Sequence, residues 1–381
     1  MTQLNALIEK AADYCAYCPK MCRFACPVAD AEARETVTPW GLMSLLRAVG
    51  REQVPLTAET GEAFFHCTGC GRCQTYCVHK NDVAEAMVSA RRLLVDGGVP
   101  LPEPLRGMDL TQERYGSPHG KVPAMPSEAD EVFEDGAKVA YKPSCTARTE
   151  EPQRVVMVGR LMARILGSPL ALARVQSDAG QPQGHCCGQA LREAGYGAVA
   201  EEIEGAMWKG FERHKEVVTD CPGVIEAWVR RTGQRDGGPK HLVEVLAQHA
   251  SILKASAQGF ELEGPVYWSD VGRLGRRLDI WDAPRQVLEA LLGPEGFKEL
   301  WLNRGEVLGS GVGAHYERID PQGSAQASER LIEDAVRHGA RTLVVSSARQ
   351  AKALRDAASD DLEVLDLVSL VAQALGVTPR P

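Results

Sequence analysis

Eight of the twelve cysteines lie in two short stretches, CAYCPKMCRFACP at residues 15–27 and CTGCGRCQTYC at residues 67–77. The spacings are C-x2-C-x3-C-x3-C-P in the first run and C-x2-C-x2-C-x3-C in the second. Four thiolates this close together are typical ligands of a cubane [4Fe–4S] cluster, and two such runs describe a two-cluster ferredoxin-type module. The sequence therefore predicts a chain that carries electrons.

Other interpretations of these cysteines fit less well. Structural zinc usually takes its four thiolates from separated C-x2-C pairs, whereas each run here is compact. The extra residue between Cys18 and Cys22 departs from the commonest cubane spacing, and a bulged turn would absorb it. A disulfide framework is uncommon in a reducing compartment.

Length and charge set the remaining limits. The chain has 381 residues, enough for two or three domains, and 44% hydrophobic and 25% charged residues, as in ordinary globular proteins. The net charge of −8 argues against a nucleic-acid partner. We find no secretory leader and no apolar run long enough to span a bilayer, so we expect a cytoplasmic protein that reaches a membrane only through a partner.

The first 97 residues are predicted to be helical. Thr38 and Pro39 form an N-cap and first-turn proline, and a second helical pattern runs from Val83 to Leu94. Residues 98–136 carry six prolines and are predicted to be a linker or wrapping arm rather than part of a core.

Beyond Ala137, short β-rich segments alternate with helical ones, which predicts α/β layers around a largely parallel sheet. The predicted strands are Val139–Tyr141, Val217–Thr219, Val266–Trp268, Leu343–Ser346 and Val364–Leu365. The predicted helices include Val155–Leu166, Ala198–Arg213, Ala327–His338 and Val368–Leu375.

The other four cysteines are Cys145, the adjacent pair Cys186 and Cys187, and Cys221. They stand in the segments PSCT (143–146), HCCG (185–188) and VVTDCP (217–222), with Gly195-Tyr196 downstream of the second. These segments resemble the cysteine-rich CCG domain of the heterodisulfide reductase superfamily. Its relatives include the iron–sulfur subunits of anaerobic glycerol-3-phosphate dehydrogenase and of glycolate and lactate oxidases. The family motif ends C-x-x-C, but Val224 stands at the last position here.

A second copy of this domain is recognisable without its cysteines. The segments VYWSD (266–270), LGR (274–276) and WDAPR (281–285) resemble its opening, and GSGVG (309–313) lies where the CCG turn is expected. In this alignment the cysteine positions read Gly272, Gly309, Ser310, Ala348 and Ala351. The resemblance thus implies an α+β multidomain fold with a helical two-cluster module (1–97), a linker (98–136), a CCG domain (137–258) and a degenerate CCG-like domain (259–381).

The family pattern also implies that the last cysteine of each run crosses to the other cluster. The ligands would be Cys15, Cys18, Cys22 and Cys77 for one cluster, and Cys67, Cys70, Cys73 and Cys26 for the other. Cys145, Cys186, Cys187 and Cys221 would hold a third [4Fe–4S] cluster, a zinc ion or no metal; the ligand set alone does not choose. We expect His66, His79 and His185 to be neighbours rather than ligands. Aromatic side chains are expected to keep water from the clusters, namely Tyr14, Tyr17, Phe24 and Tyr76.

The expected function is an iron–sulfur electron-transfer subunit of an oxidoreductase. It would relay single electrons between a flavoprotein dehydrogenase or electron-transfer-flavoprotein-type partner and a second acceptor, with no catalytic residue of its own. Two alternatives stay open: a thiol–disulfide reductase with its active site in the CCG lobe, and a mainly architectural docking subunit. The sequence does not identify donor, acceptor, cluster potentials or oligomeric state.

Overall fold

The computed structural model describes residues 6–173 and 186–377. Within residues 6–132 the regular structure is entirely helical. The α-helices of the N-terminal module are α1 Ala6–Ala16, α2 Pro27–Glu32, α3 Pro39–Gly50, α4 Ala58–Glu62, α5 Arg72–Thr75 and α6 Val83–Asp96. Short 3-10 helices cover Arg23–Ala25 and Ala63–Phe65. The predicted cap is confirmed: the Thr38 hydroxyl accepts the Gly41 N–H at 3.0 Å, and Pro39 begins α3.

The core of this module forms where α3 and α6 pack around the Ala63–Phe65 turn. Leu42, Leu46, Phe64, Phe65 and Met87 are fully buried in it. Burying each such side chain contributes about 1.5–3 kcal/mol. The core thus fixes the loops that carry both cysteine runs.

The segment 98–136 differs from the prediction. It contains a 3-10 helix at Glu103–Leu105 and two α-helices, α7 Met108–Tyr115 and α8 Ala129–Val132. Leu101, Leu105 and Met108 are buried in the core of the helical module. The expectation of a segment outside any core was therefore wrong here, because a few apolar side chains between the prolines insert into that core.

The rest of the chain forms two parallel four-stranded sheets. The first has the order β2-β1-β3-β4. Its strands are β1 Val139–Lys142, β2 Ala171–Leu172, β3 Glu216–Thr219 and β4 Lys240–His241. Its helices are α9 Cys145–Thr149, α10 Pro152–Leu166, α11 Gln189–Ala194, α12 Gly197–Phe211, α13 Pro222–Thr232, α14 Leu242–Gln248 and α15 Ala250–Ser256.

The second sheet has the order β6-β5-β7-β8, the same sequence of connections as the first. Its strands are β5 Val266–Trp268, β6 Lys298–Glu299, β7 Thr342–Val345 and β8 Glu363–Asp366. Its helices are α16 Gly272–Leu278, α17 Asp282–Leu292, α18 Tyr316–Ile319, α19 Pro321–Arg337, α20 Ala348–Ala357 and α21 Leu367–Ala374, with a 3-10 helix at Arg304–Glu306.

One hydrophobic core joins the two sheets. Tyr141 and Val218 of the first sheet and Trp268 and Val344 of the second are all buried in it. A buried ion pair crosses the same junction, with Arg154 donating to both carboxylate oxygens of Asp366 at 2.7 Å. No helix within the described residues is long and apolar enough to cross a bilayer.

All five predicted strands are present within a residue of their expected ends. The sequence did not indicate the strands β2, β4 and β6, which are two residues long. So short a segment shows no alternation of apolar and polar residues that a pattern could detect.

Candidate iron–sulfur sites

The thiols of the first run lie together with the last thiol of the second. Cys15 is on the last turn of α1, and Cys18 and Cys22 follow in the next loop. Burial raises the pKa of Cys22 to about 11, and the negative charges of Cys15, Cys18 and Cys77 add to this. Burial also raises the pKa of Cys15, with Cys77 and Cys18 again the charged neighbours. Cys77 therefore belongs spatially to the first run.

The second group has the reciprocal composition. Burial raises the pKa of Cys26, whose neighbouring thiolates are Cys70 and Cys67 of the other run. Burial likewise raises the pKa of Cys73. The negative charges of four neighbouring thiolates raise it further, those of Cys70, Cys67, Cys26 and Cys22 in decreasing order. Cys26 thus lies with the second run, and the effect of Cys22 on Cys73 shows that the two groups adjoin.

Cationic side chains surround the second group. Burial acts to raise the pKa of Cys70, but the charge on Arg276 and a hydrogen bond from the Arg72 backbone outweigh it, so the pKa is lowered. Arg91 is fully buried beside Cys67. Its guanidinium donates to the backbone oxygens of Phe64, Cys67, Glu193 and Ala314 at 2.8–3.3 Å. Arg91 therefore ties the cysteine loop to both α/β units.

The remaining four cysteines also meet. Cys145 begins α9 just after β1, and Cys221 caps α13 just after β3. The pKa of Cys145 is lowered, mainly by a hydrogen bond from the Cys186 thiol. The pKa of Cys221 is raised, mainly by its hydrogen bond with Cys187 and then by burial. All four thiols therefore lie at the carboxyl ends of the first sheet's strands, where open parallel sheets bind ligands.

The local backbone explains this gathering. Gly188 has φ +82°, and a Cβ there would lie 2.7 Å from the Ala200 carbonyl oxygen, so only glycine fits the turn after the cysteine pair. Its N–H donates to the Cys186 sulfur at 3.2 Å. The Asp220 carboxylate accepts from the Ser144 N–H and hydroxyl, which holds the other two cysteine turns together.

Two neighbours of Cys145, His119 and Lys142, were not indicated by the sequence. His119, from the arm, donates a hydrogen bond to the Cys145 thiol, and the charge of Lys142 acts in the same direction on its pKa. The Lys142 amine donates to the Pro143 carbonyl at 2.8 Å. Lys142 ends β1 three residues before Cys145, whereas His119 approaches from a distant part of the sequence. Val224 is fully buried beside Cys187 and Cys221, so the fifth family position is apolar.

The histidines flanking the second run have other partners. His66 shares a 2.6 Å hydrogen bond with the Glu32 carboxylate, and Tyr316 donates to the same oxygen at 2.9 Å. Asp320 completes a group whose ligand atoms lie within 4.8 Å of one another. His79 stacks on Tyr14 with ring centroids 4.7 Å apart. His185 lies outside the described residues.

The expected shielding by aromatic side chains was wrong for three of the four. Tyr14, Tyr17 and Phe24 are exposed, with Tyr17 at 85%. Only Tyr76 is half-buried, edge-on to Phe24 at 4.7 Å. These rings lie on the surface around the first group, because the short α1 and the loop after it form the outer surface of the module within the described residues.

Two of the five positions expected in the second unit were misplaced by one residue. Gly272 begins α16 as Cys145 begins α9. Gly309 and Ser310 precede Gly311, which has φ +74° like Gly188. However, the residue that caps the helix after the third strand, as Cys221 does, is Ser347 and not Ala348. By the same count, the residue equivalent to Val224 is Gln350 and not Ala351. The Ser347 cap fixes where α20 begins.

Residues 11–81 match the family model described as a 4Fe-4S dicluster domain. Among curated proteins, the chain is 26% identical over 339 residues to the D subunit of the dihydromethanophenazine:CoB–CoM heterodisulfide reductase from Methanosarcina barkeri. It is 27% identical over 341 residues to the protein of the same name from Methanosarcina mazei. Each match covers 82% of this chain and 78% of the relative. The chain is thus similar over most of its length to heterodisulfide reductase D subunits, and its N-terminal part matches a 4Fe-4S dicluster domain.

No solved structure matches this chain. The thiols of its N-terminal module fit the cubane requirement chemically, because each group offers four sulfur donors from half-buried cysteines. Such cubanes would supply one-electron oxidation and reduction when bound.

Proposed function

We propose that this chain is the iron–sulfur electron-transfer subunit of a heterodisulfide reductase-type oxidoreductase. The observation that carries the proposal is the exchange of the last thiols, Cys77 lying with the first run and Cys26 with the second. The exchange gives two complete four-thiol groups side by side, as a two-cluster electron carrier requires. The matched dicluster domain and the relatives' name support it.

In this proposal the ligands are assigned by group. The first centre is held by Cys15, Cys18, Cys22 and Cys77, and the second by Cys67, Cys70, Cys73 and Cys26. Asn81 supports the first by donating to the Cys15 sulfur at 3.3 Å and to the Ala11 carbonyl at 3.1 Å. Hydrogen bonds to sulfur stabilise the more negative, reduced state.

The third centre would use Cys145, Cys186, Cys187 and Cys221. Four thiols suffice for a cubane; the Lys142 charge would offset part of theirs, and His119 would donate a hydrogen bond to the Cys145 sulfur. With Val224 in place of a fifth cysteine, we favour an ordinary cubane over zinc. The domain that holds it would run over residues 137–258, and residues 259–381 would be its metal-free repeat.

The partner would dock beside the first centre. Exposed apolar side chains surround that group, from 44% exposure for Tyr14 to 88% for Val78. The others are Leu7, Tyr17, Met21 and Phe24. Such a patch is typical of a protein–protein contact. A flavoprotein seated there would exchange electrons with the first centre, which adjoins the second through Cys22 and Cys73.

A second candidate is a thiol–disulfide reductase acting at Cys145. The low pKa of this thiol, caused mainly by the Cys186 hydrogen bond and then by His119, favours a nucleophilic thiolate. The relatives' name includes a heterodisulfide substrate. Reduction of a disulfide by the isolated, pre-reduced chain would support this candidate, and its absence would leave the relay.

Anaerobic purification tests the proposal. Iron, sulfide and low-temperature EPR after reduction should show cubanes at about four iron atoms per four-thiol group. A reduced flavoprotein should bleach the visible band of the wild type. Tyr17→Ser and Phe24→Ser together should slow that bleaching but leave reduction by dithionite unchanged. Zinc in place of iron, or fewer than about four iron atoms per chain, would contradict the proposal.

A further inference from the structure

Arg276 extends from the second α/β unit onto the second cysteine group. Its Nε donates to the Cys70 carbonyl at 2.7 Å, and its Nη1 to the carbonyls of Gly305 and Val307 at 3.1 and 3.2 Å. Nη2 is buried and has no oxygen acceptor within the described residues, and the Arg276 side chain also makes a hydrogen bond with the Cys70 thiol. The guanidinium therefore still has N–H groups to offer to a group bound beside Cys70.

The charge of Arg276 is not matched by a carboxylate. Its hydrogen bonds to oxygen within the described residues go to neutral backbone carbonyls. The next residue, Arg277, differs because Asp82 binds it with both carboxylate oxygens. Arg276 is accordingly the largest favourable charge acting on the Cys70 thiol.

The guanidinium occupies space that a side chain at Gly272 would need. A Cβ built on Gly272 would overlap Nη2 of Arg276. Gly272 is the first residue of α16, the position that Cys145 takes in α9. Where the first unit places a thiol, the second places a cation directed at the N-terminal module.

The glycine-rich turn of the second unit covers the same cysteine group. A Cβ on Gly309 would lie 2.9 Å from Pro27, the residue after Cys26. A Cβ on Gly313 would overlap the carbonyl oxygen of Thr68, the residue after Cys67. From the other side, Arg72 donates to the Glu306 carbonyl at 3.0 Å. The turn and both cysteine loops are thus in direct contact.

We infer that the second α/β unit is the cap of the centre held by Cys67, Cys70, Cys73 and Cys26, and that Arg276 is the positioning residue that raises its reduction potential. The inference rests on the proposed function, since it requires a cluster at those cysteines. Reduction adds one electron and one negative charge. A half-buried guanidinium that has no carboxylate partner favours that state more strongly than it would in water.

The test is an anaerobic redox titration followed by EPR on the full chain. Arg276→Gln removes the charge at similar size. Gly272→Ala keeps the charge but displaces the guanidinium, and Arg304→Gln is the control. Arg304→Gln removes the same charge from the same unit, but the Arg304 guanidinium is exposed and paired with Asp282. Cys70→Ser identifies which signal belongs to the capped centre.

We expect Arg276→Gln to lower the reduced-to-oxidised ratio of that centre about tenfold at fixed potential, a shift of 59 mV for a one-electron couple. Gly272→Ala should shift the same signal in the same direction by less, and Arg304→Gln should match the wild type. The centre held by Cys15, Cys18, Cys22 and Cys77 should titrate unchanged in all three variants.

A wild-type potential in Arg276→Gln at full iron content would overturn the inference and leave the proposed function intact. An equal shift in Arg304→Gln would also overturn it, because any surface charge would then suffice. If Arg276→Gln loses iron, Arg276→Lys shows whether Arg276 sets the potential or is needed only to assemble the cluster. Iron retained with a smaller shift supports the inference, and iron lost again assigns Arg276 to assembly only. A wild type without a cluster at these cysteines would instead refute the proposed function.

Discussion

Cys145 and Gly272 occupy the same place in two sheets of the same strand order, each being the first residue of the helix that follows the central strand β1 or β5. In the first sheet this residue contributes a thiol to a four-cysteine site. In the second its missing side chain admits the Arg276 guanidinium. The second unit thus has a contact to the N-terminal module, from Arg276 to the Cys70 carbonyl, at the place where the first unit has a thiol.

Gly311→Ala should destabilise the fold by about 2–4 kcal/mol, because φ is +74° and the new Cβ would overlap the Ser324 carbonyl oxygen. Gly205→Ala is the matched control. It lies in α12 with nothing within 4 Å of its Cβ position, so it should stabilise the protein slightly. Anaerobic urea unfolding followed by tryptophan fluorescence measures both. Equal effects would contradict the structural role assigned to the turn.

Much of the fold could be predicted because its signals are local. The Thr38–Pro39 cap and apolar strands such as Val266–Trp268 each depend on residues that are adjacent in sequence. The eight clustered cysteines also stand close together in sequence. Their grouping in space, with Cys77 and Cys26 exchanged, came from the family resemblance rather than from spacing.

The contacts that sequence could not predict are long-range. Arg91 lies more than a hundred residues from Glu193 in sequence. His119 lies in the proline-rich segment 98–136, whose sequence does not indicate that it packs against Cys145. The position of Ser347 depended on a helix cap in a segment that has no cysteine to fix the alignment. Such features follow from how finished elements pack, and a linear pattern does not record packing.

Arg91→Ala should cost about 3–5 kcal/mol, because it leaves several buried backbone carbonyls without a donor. The neighbouring Arg92→Ala is the control. Its ion pair with Glu201 is largely exposed, so its loss should cost about 1 kcal/mol or less. The two urea midpoints, measured anaerobically, should separate clearly. Similar midpoints would mean that Arg91 does not link the three parts of the chain.

Stability should fall as the pH is lowered from about 7 to about 5, in part through His241. Burial lowers the pKa of this histidine to about 4. Below a pH of about 6.5, His241 is protonated in the unfolded chain but stays neutral in the folded chain. Stability therefore falls with pH until the pH drops below the pKa of His241 in the folded protein. The contribution is about 2 kcal/mol at pH 5.

His241→Asn isolates this effect, because asparagine can still cap α14 as His241 does by accepting the Val243 N–H. The variant should lose less stability than the wild type between these pH values, as measured by urea unfolding. An unchanged pH slope would show that His241 is not buried in its neutral form.

Cys145→Ser should lower the iron content by about four atoms per chain and leave the EPR signals of the N-terminal centres unchanged. The reason is that the Cys145 site draws all four thiols from the first α/β unit. Metal analysis alongside EPR measures both. Loss of zinc rather than iron would show that this site is not part of the relay.

The central claim is that the two cysteine runs exchange their last ligands, and four serine variants test it directly. EPR spectra of the anaerobic, reduced proteins are compared for Cys77→Ser, Cys18→Ser, Cys26→Ser and Cys70→Ser. We predict that Cys77→Ser perturbs the same signal as Cys18→Ser, and that Cys26→Ser perturbs the same signal as Cys70→Ser. Pairing of Cys77→Ser with Cys70→Ser, and of Cys26→Ser with Cys18→Ser, would show that each run closes its own centre and would contradict this account.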